Sequence, residues 1–497
     1  MVAKQFLIGL TCVFVVFAFT ACDNNILPTS SDIEQTDSGG DNTAIESFEG
    51  NKATIAEVLA GNCEDHEKSD DYTWENSEII PIELNQNSIT INGTGATANG
   101  SVVTITSAGT YGFSGSLSDG QVIVNTEDKG VVRLILNGVN ITCSTSAPIY
   151  VINAKRTMIV LAENTQNILT DGSSYVFETA DADEPNAAVF SKDDLTIYGN
   201  GSLTVNGNYN DGITSKDGLI IKSGTINVNA ADDGIRGKDY LVIKDGNITV
   251  TAKGDGLKSD NEDDTTAGYI LIEGGAFHIT SGGDAISGYT DVLIADGDLS
   301  LASGGGSSAR ISSSLSAKGI KANVYIVIDG QTISINSADD AIHSNAGLTI
   351  NGGSFTISTG DDGIHSDSTL EINGGTINIT KSSEGIESAI IIINDGIINV
   401  TASDDGFNAT TGTNSMRADG SQLIINGGTI TVNVSGNDVD AFDSNGSITI
   451  TGGTVNLNYP TRGMNEGLDA NGTITVGSGA TVYLNGNQYT GSRGGRP

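Results

Sequence analysis

Residues 339–360 read DDAIHSNAGLTINGGSFTISTG, and residues 361–381 read DDGIHSDSTLEINGGTINITK. The second line restates the first almost position for position. Its core is a slot in which an acidic residue (once a lysine) precedes Gly or Ala and then a large apolar residue. The slot returns eleven times, at Asp211, Asp233, Asp255, Asp284, Lys318, Asp340, Asp362, Glu384, Asp405, Asp440 and Glu466. Six of the ten intervals are 21 or 22 residues, and the others are 26 to 35, as if loops had been inserted. A fixed short period marks a solenoid, in which each repeat buries its apolar face only against its neighbours.

Counted from the slot, position +2 is always apolar and position +4 is always Ser, Gly or Ala. Two further apolar pairs follow, such as Leu348/Ile350 and Phe355/Ile357, with a Gly turn at Gly353 between them. Alternation at period two argues strand rather than helix. Thr and Asn lie between the apolar residues, as expected of pleated strands with one side in solvent. The expected fold is all-β: a right-handed parallel β-helix with three short strands per coil of about 22 residues and an N-terminal cap. The small +4 side chains suit a tight interior in which stacked serines satisfy one another. A sandwich or propeller is the rival, but a 22-residue unit is too short for a propeller blade.

The chain carries 61 acidic and 23 basic residues, a formal charge of −38, which argues against nucleic-acid binding. The same charge repels any polyanion unless a cation bridges the two. Residues 1–21 read as an export signal: Lys4, an apolar run from Phe6 to Phe19, then Thr20-Ala21-Cys22. Small residues before a cysteine point to lipidation of Cys22, hence an exported, membrane-anchored lipoprotein at the cell surface. Residues 22–71 are rich in Ser, Thr, Asn, Asp and Gly and read as a flexible stalk. Residues 72–490 form the repeat domain, with its cap and first coils in 72–200, and 491–497 are a tail. Within the first part, Val131–Val139 and Leu195–Gly199 read as coils that lack the acidic slot. Cys63 and Cys143 either pair as a disulfide or remain thiols, with Cys143 in a strand-like run.

Asp71-Tyr72-Thr73-Trp74, then Leu134-Ile135-Leu136-Asn137-Gly138-Val139-Asn140-Ile141, then repeated Asp-Asp-Gly-Ile-His and Ile-Asn-Gly-Gly-Thr-Ile units, resemble a bacterial family. It comprises secreted carbohydrate-binding parallel β-helix proteins, related in architecture to pectate-type polysaccharide lyases. The resemblance covers roughly residues 70–485. It implies calcium-containing coils and binding of cellulose and of acidic plant polysaccharide such as polygalacturonate. The insertions after Ser303 and Phe407 depart from a uniform pattern.

Two constellations carry chemistry. The first is acidic: Asp232/Asp233, Asp339/Asp340, Asp361/Asp362 and Asp404/Asp405, with the single acids Asp211, Asp255 and Glu384. Stacking would bring slot acids close together, which is costly unless they are protonated, hydrogen-bonded to turn amides or bridged by a cation. Calcium suits clustered oxygen ligands, and a ladder of turn-capping aspartates is the structural alternative. Asp260/Glu262/Asp263/Asp264 and Asp438/Asp440/Asp443 are looser candidates. The second constellation is basic. Positions +3 and +5 share one parity and carry Lys216, Arg236, Lys238 and Lys258, then Lys321, His343 and His365, before turning to Glu387 and Asn408. Such a strip suits carboxylates of an extended uronan; equally, it neutralises nearby aspartates.

The reading that follows is surface-tethered, non-catalytic binding of plant cell-wall polysaccharide, acidic by preference and cellulose as a second ligand, with calcium as cofactor. A calcium-dependent lyase is the enzymatic alternative. It needs a cation to acidify the proton beside a uronate carboxyl and a Lys or Arg base, with Lys258 and Lys238 beside Asp233 and Asp255 as candidates. A structural spacer or adhesin is the third reading. The oligomeric state is not legible.

Overall fold

Alternation of apolar and polar residues puts every second side chain on one side of a strand. The computed structural model, which describes residues 53–491 except 178, 180 and 413–417, turns that pattern into three strands per repeat. The described residues contain 44 strands and one α-helix, Ile55–Leu59. Pairing is mostly parallel, each strand bonding to its counterpart in the next repeat. This all-β, parallel arrangement is consistent with the expected solenoid. No helix among the described residues is long and apolar enough to cross a membrane. The signal, Cys22, the stalk up to residue 52 and residues 492–497 lie outside the described residues.

Three ladders result. The first contains the strands that follow the slot, among them Ile235–Gly237, Ile342–Ser344 and Phe442–Ser444. The second contains Gly218–Ile221, Tyr240–Ile243 and their counterparts. The third includes Gln166–Asp171, Ser202–Gly207, Thr225–Ala230 and Thr454–Asn458 and continues to Thr481–Leu484. In the first ladder Ile213 pairs with Ile235, and Ile342 with Ile364 and then Ile386, all with no solvent exposure. That is the column expected from the slot. The slotless coils are present too: Val132–Cys143 and Leu195–Gly199 are strands in register with their neighbours. At the N-terminal side Ile79–Gln86 pairs antiparallel with Ile89–Ile91 and parallel with Gly109–Leu117, so a hairpin covers that edge.

The corner between the second and third strands needs glycine. Gly246 has φ 136°, and a Cβ there would stand 2.9 Å from the Gly224 carbonyl oxygen.

Two expectations change. The +4 serines do not satisfy one another. Ser215, Ser259, Ser344 and Ser366 donate instead to backbone carbonyls at the corner, at 2.7–3.2 Å. And the stretch assigned to a stalk up to Asp71 is packed from residue 53 on. The second-ladder strands Tyr240–Ile243 and Tyr269–Ile272 are buried at every position, because their outer side chains need a cover. Val58 packs into an outer cluster with Ile220, Val242, Leu271, Leu293 and Val327, flanked by Ile55 and Leu59. The strap is tied along its length. Asn351 donates to the Ala53 carbonyl at 2.8 Å, Asn62 to Asp291 at 3.0 Å, and Lys222 to Glu67 at 2.6 Å. Arg156 meets Asp71. Cys63 and Cys143 are free thiols, Cys143 buried.

Candidate functional site: the acidic slot and its +3 column

The slot residue sits at the corner that enters the first ladder, and its carboxylate reaches across to the next repeat. Asp233 Oδ1 accepts the Asp255 N–H at 2.8 Å, Asp255 Oδ1 that of Asp284 at 2.8 Å, and Asp284 Oδ1 that of Lys318 at 2.7 Å. Asp340 does the same for Asp362 at 2.9 Å, and Asp405 for Asp440 at 2.6 Å. The turn-capping alternative is therefore present in a stronger form: each cap bonds the following repeat rather than its own turn. One oxygen of these carboxylates is consumed this way, and the other faces the +3 column.

In the N-terminal repeats that second oxygen meets a cation. Lys258 Nζ lies 3.0 Å from Asp233 and 2.9 Å from Asp255. Arg236 holds Asp260 through two nitrogens at 2.7 and 2.9 Å and approaches Asp211 at 3.8 Å. Where lysine occupies the slot, Lys318 Nζ sits 2.9 Å from Asp339 and 3.1 Å from Asp340, and its side chain is buried. His343 Nδ1 is 2.8 Å from Asp340, and His365 Nδ1 is 3.1 Å from Asp362. The two rings stack with centroids 4.6 Å apart. Lys216 pairs with Glu184 at 3.0 Å, and Lys238 with Asp263 at 3.4 Å. Lys321 Nζ lies 3.8 Å from Asp284, so all seven basic residues singled out from the sequence have acidic partners within the chain.

Protonation follows the pairing. Burial alone would lower Lys258, but Asp255 and Asp233 raise it well above the usual lysine range. Burial would raise Asp340, yet Lys318 and His343 hold it well below the usual carboxylate range. Burial would lower His365, but its bonds to Asp362 and Asp367 raise it. Farther along, Glu387 is pushed up to about 10 by burial and by the Glu384 carboxylate to which it bonds.

Past Glu387 the +3 column turns acidic, and the compensation ends. Among the described residues no Lys, Arg or His pairs with Asp405, Asp440, Asp443 or Asp469. Burial, with Asp443, Glu384 and Asp404, pushes Asp405 up to about 8 despite its bond from the Asp440 amide. Burial and the charges of Asp440 and Asp469 push Asp443 up to about 7. Burial, then Asp469 and Glu466, push Asp440 up to about 6. One carboxylate oxygen each from Asp440, Asp443 and Asp469 lies within 4.8 Å of the others. Asn408, the register partner of Asp443, has a buried Oδ1 without a hydrogen-bond partner. A set made only of oxygen donors, with spare negative charge, fits a hard cation such as calcium.

The ten acids expected to hold metal thus divide. Asp233, Asp255, Asp339, Asp340 and Asp362 are met by Lys or His side chains. Asp232, Asp361 and Asp404, the first members of their pairs, are exposed. Glu384 accepts from Asn408 at 2.9 Å, and Asp405 borders the uncompensated cluster. Asp469 was missed because the repeat spacing is irregular there. Its signal was the +3 position counted from Glu466.

A family model described as "Carbohydrate-binding domain-containing protein" matches residues 99–363 and 360–492. This chain belongs to that carbohydrate-binding domain family. A carbohydrate-binding domain-containing protein of Acetivibrio thermocellus is 47% identical over 128 residues, 26% of this chain and 45% of the relative. The chain therefore spans less than half the length of that curated family member. A solved structure, the polysaccharide lyase-like protein from C. thermocellum as a gadolinium derivative, is 38% identical. It covers 44% of this chain and 89% of its own, with a TM-score of 0.43.

Proposed function

We propose that this protein is a surface-tethered, non-catalytic polysaccharide-binding module on a right-handed parallel β-helix, with calcium assisting the capture of acidic plant cell-wall glycans. Membership of a carbohydrate-binding family supports a polysaccharide partner. The observation that carries the finer reading is the change of the +3 column from basic to acidic. From Asp211 to Asp362 each slot carboxylate has an internal counter-ion; at Asp405, Asp440, Asp443 and Asp469 none is supplied among the described residues.

Asp440, Asp443 and Asp469 are the residues that would hold calcium. The bound ion would supply the positive charge that lets a uronate chain approach a protein of formal charge −38. The chain's own part is to fix these carboxylates. Asp440 Oδ1 is engaged by the Glu466 amide, and the Asp440 amide by Asp405 Oδ1. Both bonds tie corner residues to the neighbouring repeat, and of the three acids Asp443 lies within a strand, Phe442–Ser444. Lipidation of Cys22 would place this face at the cell surface.

The lyase alternative gains nothing from Lys258. A general base must be neutral to take a proton, and the two carboxylates beside Lys258 keep it protonated.

Affinity electrophoresis through a polygalacturonate gel tests the reading. Retardation in calcium that disappears in chelator is the expected result. Migration indifferent to the polysaccharide with calcium present refutes acidic-glycan binding and favours the adhesin. Unsaturated oligosaccharide products would move the assignment to a lyase.

A further inference from the structure

His365 and Glu387 are register partners on consecutive strands of the first ladder, Ile364–Ile372 and Ile386–Ile393. Parallel pairing in register sets such side chains roughly 4.8 Å apart on one side of the sheet. Asp362, the slot acid of the first of these repeats, reaches the same place from its corner. His365 Nδ1 lies 3.1 Å from Asp362 Oδ2 and 3.8 Å from Glu387 Oε1. One ligand atom from each of the three residues lies within 4.8 Å of the others. The side chains of Asp362, His365 and Glu387 are 13, 18 and 21% exposed, so the place is recessed but open to solvent.

The other polar atom of each side chain is already held. Asp362 Oδ1 accepts the Glu384 N–H at 3.3 Å. Glu387 Oε2 accepts from the Asn408 side-chain amide at 2.9 Å. His365 Nε2 stands 3.0 Å from Asp367 Oδ1. A carboxylate on the far nitrogen of an imidazole is what fixes the ring and its tautomer in metal-ligating histidines. With Nε2 donating to Asp367, Nδ1 is the nitrogen left to face Asp362 and Glu387.

Charge is out of balance here. One imidazole serves Asp362, Asp367 and Glu387, and among the described residues no Lys or Arg pairs with any of them or with Glu384. Asp340, His343 and His365 converge as well. Asp340, however, already has Lys318 at 3.1 Å. Asp362, His365 and Glu387 are therefore the set that lacks a metal-sized charge.

We propose that Asp362, His365 and Glu387 form a binding site for a first-row divalent transition ion of the zinc type, which joins two consecutive repeats. The donor set decides the class. An imidazole nitrogen with two carboxylate oxygens suits zinc and its neighbours, whereas calcium takes a larger shell of oxygens alone. The site thus differs in chemistry from the oxygen-only set of Asp440, Asp443 and Asp469. Ligand atoms about 2.0–2.1 Å from a tetrahedral ion stand about 3.3 Å apart, and the 3.1 and 3.8 Å found here bracket that value. The ion takes the place of the proton between His365 and Asp362. Three protein ligands leave a fourth position to water or to an incoming donor.

The test dialyses the untagged, metal-freed full chain against zinc in a large excess of calcium. The wild type retains about one zinc per chain. His365→Gln and Glu387→Gln each abolish retention. Asp367→Asn, which alters only the far nitrogen's partner, weakens affinity about 10- to 100-fold. Cobalt serves should a variant not fold: bound to the wild type in this four-coordinate site, it gives an intense visible band that added zinc removes. Zinc displaced by calcium, zinc retained undiminished by folded His365→Gln, or a wild-type cobalt spectrum with only the weak six-coordinate band would overturn the proposal. Calcium-dependent retardation by polygalacturonate is read separately, so either reading can fail alone.

Discussion

Replacing Asp443 with Asn should change stability in opposite directions with and without calcium. Without a cation, Asp443 stands beside Asp440 and Asp469, with carboxylate oxygens within 4.8 Å. At that distance two full charges repel by about 3.5 kcal/mol for an effective dielectric near 20. The carboxyl is pushed up from 3.8 to about 7 by burial and those neighbours, a ceiling of about 4 kcal/mol when fully ionised. Partial exposure and salt reduce both figures to about 1–2 kcal/mol. The folded carboxyl holds its proton more tightly than the unfolded one. Stability is therefore complete below the unfolded value and is lost as the pH rises from about 4 towards about 7. At pH 8 in chelator, Asp443→Asn should thus stabilise this region. In calcium it removes a ligand and should destabilise it. Hydrogen exchange at the amides of Phe442 and Ser444, which bond to the Gly467 and Asp469 carbonyls, reads local opening directly. Exchange should slow by about 5- to 30-fold in chelator at pH 8 and quicken relative to wild type in calcium. A change of the same sign in both conditions would refute the calcium assignment.

Lys318→Met should cost about 3–5 kcal/mol at pH 7, because it strands buried carboxylates at Asp339 and Asp340. Lys318 holds Asp340 below its usual range, so its stabilisation is present at neutral pH and lost on acidification. The gap between variant and wild type in urea melts should therefore narrow at about pH 3, below the ordinary carboxylate value of 3.8; an equal gap at pH 7 and at about pH 3 contradicts the ion-pair account. Ile342→Ala, in the fully buried column between Ile320 and Ile364, should cost about 2–5 kcal/mol by calorimetry. A loss below about 1 kcal/mol would mean that the column is not close-packed. Cys22→Ser should release the protein from membranes into the soluble fraction; unchanged membrane association would point to an uncleaved apolar anchor.

The repeat made much of the fold legible. Apolar residues at +2 and in two later pairs, spaced by two, fixed which side chains go inward, and the period fixed their stacking partners. Ile213 with Ile235 and Ile342 with Ile364 follow from counting alone. The strap was hidden for the opposite reason. Residues 53–73 have no periodicity of their own, and Val58 is buried only because Ile220, Val242 and Leu271 present apolar side chains outward to receive it. The bond between Asn351 and Ala53 spans 298 residues and leaves no local trace.

The site divides along the same line. Sequence by itself determined that acids occupy the slot, that the +3 column runs from basic to acidic, and that the strands between are rich in Thr and Asn. Those facts depend on residue identity and on a period, both of which are one-dimensional. Only the tertiary structure decided which charges cancel. Lys258 reaches back one repeat to Asp233 while also holding its own Asp255, and Lys318 fills the place of a missing slot acid. Charge pairing depends on distances of a few ångströms between side chains from different repeats, and stacking of the folded repeats is what sets those distances.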